Sequence, residues 1–210
     1  MHAVIVANAP WRWRPDLVAL ARGAELLLAA DGGANLLAAV GLRPAAVVGD
    51  LDSVHPSVRA WLGEEAMLAR PDQERTDLDK ALAVAIEERG ATTVTVLAAT
   101  AGRLDHAFEN LGLAARWRRQ AAISVVTEDG VLVPVLDRVE LATEPNQLVS
   151  LLPLGRIQVW TRGLRWELDG QTLDPGTRIS VSNRATGTAV EVRVAAGALL
   201  VFLAGARAGC

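Results

Sequence analysis

The first 128 residues alternate short apolar runs with glycine-bearing polar loops and amphipathic stretches, and no other feature narrows the fold as much. Apolar runs at 3–7, 26–30, 45–48, 67–69, 93–98 and 123–127 read as strands. Between them, 15–21, 34–40, 56–62, 77–89 and a segment reaching about Arg118 read as helices. Leu78, Ala81, Leu82, Ala85 and Ile86 keep the helical period, Thr76 stands at the N-cap position and Gly90 at the stop. Repeated strand–loop–helix units of this length predict a mostly parallel sheet with right-handed crossovers. Ligands of such sheets sit beyond the carboxyl ends of the strands, so the loops that follow the strands carry the functional question.

After Asp129-Gly130 the pattern changes. Short alternating or apolar runs follow at 131–136, 138–142, 148–152, 157–160, 164–168, 177–182, 188–194 and 198–203, without a helical segment. The chain therefore divides into an α/β domain over 1–128 and an all-β, sandwich-like domain over 129–210. With 51% hydrophobic residues there is enough apolar surface for both cores. Every apolar stretch falls short of the roughly 18 to 20 residues a membrane span needs. The first run ends at Asn8 and Pro10, unlike a cleavable leader, and a cytoplasmic protein is expected. A net charge of −3 without a basic block argues against a general nucleic-acid binder. Cys210, the single cysteine, excludes an internal disulfide and a cysteine-rich metal site, and reads as an incidental terminal thiol. Of the 21 basic residues only Lys80 is a lysine, so a phosphate clamp would rest mainly on arginine.

The loops that follow the strands are acidic or glycine-rich. In Val47-Val48-Gly49-Asp50-Leu51-Asp52-Ser53, period-2 geometry points Asp50 and Asp52 to one side. Two adjacent carboxylates that stay ionised want a cation between them, and magnesium fits, taking one or two protein carboxylates and its other oxygens from water and phosphate. An ordinary acidic turn uses the same residues. In Asp31-Gly32-Gly33-Ala34-Asn35 the paired glycines allow backbone to approach a phosphate and the next helix offers free N–H groups, although a tight strand-to-helix turn has the same needs. Asp77 and Asp79 fall in a first helical turn, where helix capping and ligand binding both favour acids. Gly102-Arg103-Leu104-Asp105-His106 follows the fifth strand, and Trp11-Arg12-Trp13-Arg14 follows the first, where it either covers a nucleotide or packs on the fold.

Taken in order, these loops resemble the thiamine pyrophosphokinase family. The motifs are Asp31–Asn35, Gly49–Ser53, Pro71–Asp77 and Gly102–His106, joined in the β part by Gly163-Leu164-Arg165-Trp166-Glu167-Leu168 and Ser180-Val181-Ser182-Asn183. The resemblance spans nearly the whole chain. It implies magnesium-dependent transfer of the terminal diphosphate of ATP to the hydroxyl of thiamine, giving thiamine diphosphate and AMP. A homodimer is also implied, with thiamine held between the α/β domain of one subunit and the β domain of the other. By position, Asp50, Asp52 and Asp77 resemble the metal-binding acids. Asp31, Gly32, Gly33, Asn35, Thr76, Arg103 and Asp105 resemble the nucleotide and diphosphate site, and Ser182 and Asn183 the thiamine site. Asp50, Asp52, Asp77, Arg103 and Asp105 form the implied catalytic set.

Three positions depart from the family pattern. Glu74 stands where many members have Asp. The last strand, Leu199–Phe202, lacks a tryptophan some members carry, leaving Trp166 either as its substitute or as a core residue. His106 is Gln in some members and reads as scaffold. Competing functions are a diphosphokinase of the same fold acting on another heterocyclic alcohol, a noncatalytic nucleotide or thiamine sensor, a nucleotide-sugar glycosyltransferase, and a phosphatase with an Asp nucleophile. The last also needs a nearby lysine, and Lys80 follows a different strand.

Overall fold

The computed structural model describes residues 1–207, so Cys210 lies outside the described residues. The chain forms two compact units, one of Met1–Leu113 with Gln120–Val126 and one of Ala114–Arg119 with the chain from Thr127 onward.

The first unit carries six strands: β1 (His2–Val6), β2 (Leu26–Ala30), β3 (Ala46–Gly49), β4 (Met67–Ala69), β5 (Thr93–Leu97) and β6 (Ala122–Val126). They are ordered β6-β5-β1-β2-β3-β4 and every neighbouring pair is parallel. Ile5 of β1 stands opposite Leu28 of β2 and Val96 of β5. Ala3, Val4, Ile5 and Val6 are fully buried, as a parallel strand covered on both faces requires, which is why its sequence is continuously apolar. From β1 the chain winds outward through β2, β3 and β4, then returns to the far side of β1 for β5 and β6. That reversal opens a crevice at the carboxyl ends of the central strands.

The helices are α1 (Pro15–Arg22), α2 (Gly33–Ala38), α3 (Pro56–Leu62), α4 (Asp77–Ala83) and α5 (Leu104–Trp117). Thr76 caps α4 as its position predicts, its hydroxyl accepting from the Asp79 N–H at 3.4 Å. The single helix expected over 77–89 instead widens after Ala83 into a π-helical turn, Val84–Glu88, in which the Arg89 N–H donates to the Val84 carbonyl at 3.0 Å. The apolar period survives because Leu78, Ala81, Leu82, Ala85 and Ile86 are all buried.

The second unit contains β7 (Gly130–Val135), β8 (Arg138–Ala142), β9 (Leu148–Pro153), β10 (Ile157–Arg162), β11 (Asp169–Leu173), β12 (Ser180–Arg184), β13 (Ala189–Ala195) and β14 (Leu199–Ala204). They form two antiparallel layers, β12-β9-β14-β7 and β11-β10-β13-β8. Val149, Leu151 and Val201 from the first layer share one core with Val159, Leu173, Val190 and Val192 from the second, the packing of a sandwich. The strand expected over 164–168 is a loop. The Glu167 carboxylate there accepts from the Leu164 N–H at 3.0 Å and the Thr161 hydroxyl at 2.6 Å, replacing ladder bonds. The strand lies one step later, at β11, where Asp169-Gly170 reads as a turn by sequence. Gly170 (φ +76°) tolerates both the conformation and the Trp160 indole, whose Nε1 would stand 3.2 Å from a Cβ. Among the described residues no helix is long and apolar enough to cross a membrane.

Candidate functional site

A cavity of about 710 Å³ opens in the first unit at the carboxyl ends of its strands. Asn8 enters it from the end of β1, Asp31 from β2, Asp50 and Asp52 from β3, and Gln73, Thr76, Asp77 and Lys80 from the β4–α4 segment. Arg103 and His106 enter from the segment after β5. These residues, up to 98 positions apart from Asn8 to His106, thus line one cavity because the parallel topology ends every strand on one edge.

Within the cavity Asp31, Asp50 and Asp77 each bring a carboxylate oxygen within 4.8 Å of the others. Gly49 makes that approach feasible: its φ is +153°, and a Cβ there would stand 2.9 Å from Asp77 Oδ1 and 3.0 Å from Asp31 Cβ. Backbone strain collects at the same place, with Asp31 at φ +44° and Leu51 at φ +69°. The alternation that would align Asp50 with Asp52 ends with β3 at Gly49, and Leu51 then turns the chain. Asp52 lines the same cavity but lies outside the three-acid group, its carboxylate accepting from the Ser53 hydroxyl at 2.9 Å.

Asp31 is 3% exposed, and burial pushes its carboxyl above the usual carboxylate range. The Asp77 charge adds to the rise, while hydrogen bonds from Ser53 and Gly32 oppose it. Lys80 answers part of the negative charge, its Nζ standing 3.1 Å from Asp77 Oδ1. Three hard oxygen donors around space that only a glycine leaves open suit a small divalent cation such as magnesium. Glu74 is exposed and outside this group, its N–H donating to Asp72 Oδ1 at 2.9 Å.

Arg103 and Asp105 are exposed and paired with each other at 2.5 Å. The Arg103 guanidinium, with the His106 N–H, holds the Asp105 carboxyl down to about 2. Gly32 and Gly33 serve close packing: a Cβ on Gly32 would meet the Asn8 side chain at 2.3 Å, and one on Gly33 the Val6 carbonyl oxygen at 2.0 Å. Asn35 staples the loop after β3, donating to the Ser53 carbonyl at 2.8 Å and accepting from the His55 N–H at 2.9 Å. Trp13 packs on the fold, its Nε1 donating to the Leu36 carbonyl at 2.9 Å.

In the second unit Ser182 is exposed at φ +59°, within an irregularity of the β12–β9 pairing. Asn183 is 2% exposed, and its amide is committed to the loop before β11. It accepts from the Trp166 N–H at 3.2 Å and donates to the Trp166 carbonyl at 2.8 Å. Trp166 is 55% exposed, so it is not the core residue that tryptophan usually is, and the Arg165 guanidinium lies 5.0 Å from its ring centroid.

Sequence reasoning passed over Asn8, Gln73, Lys80 and Asn110 as site residues. Gln73 donates to Asp50 Oδ2 at 3.4 Å, and buried Asn110 ties α5 to the Ala99 carbonyl at 2.9 Å. Lys80 had a usable signal, since the i,i+3 spacing from Asp77 places both on one helix face. Asn8 had none, because a polar residue ending a strand is ordinary.

The catalytic-domain profile of thiamin pyrophosphokinase matches residues 17–127, and the vitamin B1 binding-domain profile of thiamin pyrophosphokinase matches residues 138–199. Thiamine pyrophosphokinase 1 of Oryza sativa subsp. japonica is 30% identical over 212 residues, covering 87% of this chain and 79% of its own length. Thiamine pyrophosphokinase of Bacillus subtilis is 30% identical over 112 residues, 52% of each chain. Among solved structures, thiamine pyrophosphokinase from Bacillus subtilis superposes with a TM-score of 0.83 at 22% identity over 97% of this chain and 99% of that one. Thiamin pyrophosphokinase from Candida albicans gives a TM-score of 0.84 at 16% identity over 97% and 89%.

Proposed function

The chain belongs to the thiamin pyrophosphokinase family, and from that premise we propose that the cavity of its α/β unit moves a diphosphate from ATP to the hydroxyl of thiamine. The observation that carries the reading is the meeting of Asp31, Asp50 and Asp77 at the strand ends. In this reaction the thiamine hydroxyl oxygen bonds to the β-phosphorus. The bond from that phosphorus to the α,β-bridging oxygen breaks, AMP leaves with the electron pair, and the hydroxyl proton is released. Such chemistry asks the protein for alignment and charge neutralisation, since the bonds that change all lie in the substrates.

Asp31, Asp50 and Asp77 would hold a magnesium ion, which when bound neutralises phosphate charge and fixes phosphate oxygens. Arg103 is exposed and, among the described residues, its guanidinium is held by its neighbour Asp105, so it can exchange that carboxylate for a phosphate and clamp it bidentately. Asp52 and Thr76 border the same space and add acceptor and hydroxyl groups for orientation. For thiamine, Ser182 offers an exposed hydroxyl and Trp166 an exposed aromatic face, while buried Asn183 sets the position of the Trp166 backbone. We read the enzyme as a homodimer in which each site takes its phosphate chemistry from one subunit and its thiamine contacts from the partner.

Incubation with ATP, magnesium and thiamine tests the reading by its products. AMP and thiamine diphosphate in equal amounts are expected. Inorganic phosphate alone would overturn it in favour of a phosphatase, and binding without turnover in favour of a sensor.

A further inference from the structure

Of the chain's 21 basic residues only Lys80 is a lysine, and it is the one basic side chain buried among the described residues. The side chain is 2% exposed, against 31% for its partner Asp77. At the exposed basic positions the chain uses arginine, whose planar fork asks for width and several partners. An ammonium is compact and donates three hydrogen bonds in directions set by its surroundings. Lys80 thus places a buried point charge at the border of the cavity. Among the described residues one of its donors serves Asp77 Oδ1, leaving two for groups that enter the cavity Lys80 borders. The carboxylates of Asp31, Asp50 and Asp77 with this ammonium carry a formal charge of −2, three negative groups less one positive. A single divalent ion balances that set, and the ammonium remains as the fixed positive group beside it when a polyanion arrives.

Resting on the ATP-dependent reading above, we propose that Lys80 Nζ is a direct polyphosphate contact, anchored by Asp77 and donating to a non-bridging phosphate oxygen of the nucleotide. Asp77 then joins two parts of the site, sharing its carboxylate between the cation position and the ammonium. A lysine that only tied Asp77 in place would act on the cation site instead, and the two roles separate by experiment.

Lys80→Met keeps the length and the apolar stem and removes the charge. Its kcat/KM for magnesium–ATP should fall by about 100-fold or more. The KM for thiamine should change by less than about twofold, and Lys80→Arg should not restore the rate. Binding of Mn2+ without nucleotide, followed by calorimetry, should be no weaker than in the wild type because all three carboxylates remain. Loss of Mn2+ binding together with activity would reduce Lys80 to a tie for Asp77 and overturn the proposal.

A second measurement leaves the protein unaltered and so does not depend on a variant folding. Selective 15N-lysine labelling reports one side-chain ammonium. Relative to the protein already saturated with magnesium, its resonance should move on addition of α,β-methylene-ATP and stay in place on addition of adenosine. A resonance unmoved at saturating analogue overturns the contact. If the wild-type protein makes no AMP from ATP and thiamine, the functional reading fails separately, and the Lys80 signal still reports whether a triphosphate reaches the ammonium.

Discussion

Asp50 and Asp52 stand one residue apart and face different surroundings, which separates their expected behaviour. Asp50 belongs to the three-acid group, and Asp50→Asn should lower kcat by at least about 100-fold while leaving the melting temperature close to wild type, since the side chain is only partly buried. Asp52→Asn should cost less than Asp50→Asn, and its loss should shrink at high magnesium, because the proposed ligand group survives. Steady-state kinetics over a magnesium series would reveal an error if the two variants behaved alike. Asp31 carries a different cost. Burial raises its carboxyl above the ordinary value of 3.8, so between that value and the raised one the unfolded chain ionises first and the metal-free fold loses stability. The loss is complete above the raised value and absent below 3.8. Asp31→Asn removes the charge and tolerates the positive φ of this position, so metal-free urea midpoints should rise at pH 7. The gain should narrow at the lowest pH where both proteins stay folded. An unchanged or lower midpoint at pH 7 would show that hydrogen bonds to the ionised form outweigh burial.

At the level of elements, the end of β3 is where packing and chemistry press hardest on each other. Gly49→Ala meets a positive φ and two close neighbours at once. The Asp77 carboxylate can swing away, whereas Asp31 Cβ belongs to a buried residue of β2's own strained end. A destabilisation of about 1–3 kcal/mol is expected by urea denaturation, together with loss of Mn2+ binding at the proposed cation site, followed by calorimetry. Retained Mn2+ affinity would mean the acids meet without help from the glycine. The helix after β4 teaches a related lesson. Its cap and apolar face were legible as residues 76–86, because capping and periodicity act within a few residues. The π turn at Val84–Glu88 was not, since wider turns follow from how a helix seats on its sheet rather than from propensity.

For the whole molecule, the proposed division of labour between subunits predicts complementation. Asp50→Asn chains should be paired with chains bearing both Ser182→Ala and Trp166→Ala, whose replaced side chains are exposed. Asn183 is a poor choice for this test, because its buried amide holds the loop around Trp166. A purified heterodimer of the two dead parents should regain about half the wild-type rate, one intact site in a symmetric pair. A heterodimer as inactive as its parents would place both halves of each site in one chain, or end the dimer reading.

The sequence by itself determined the two kinds of architecture, the strands of the α/β unit and the loops in which acids and glycines collect. Those properties rest on local periodicity and turn chemistry, which a single stretch of chain contains. It did not determine which acids meet. Asp31 joins Asp50 and Asp77 because β2 lies beside β3 and Gly49 leaves room, while Leu51 turns Asp52 away from that group. The same limit hid the commitment of Asn183 to the Trp166 backbone, the exposure of Trp166 and the burial of Lys80. Each is a relation between side chains from separate elements, and only the order of strands and the strained residues at their ends decide such distances.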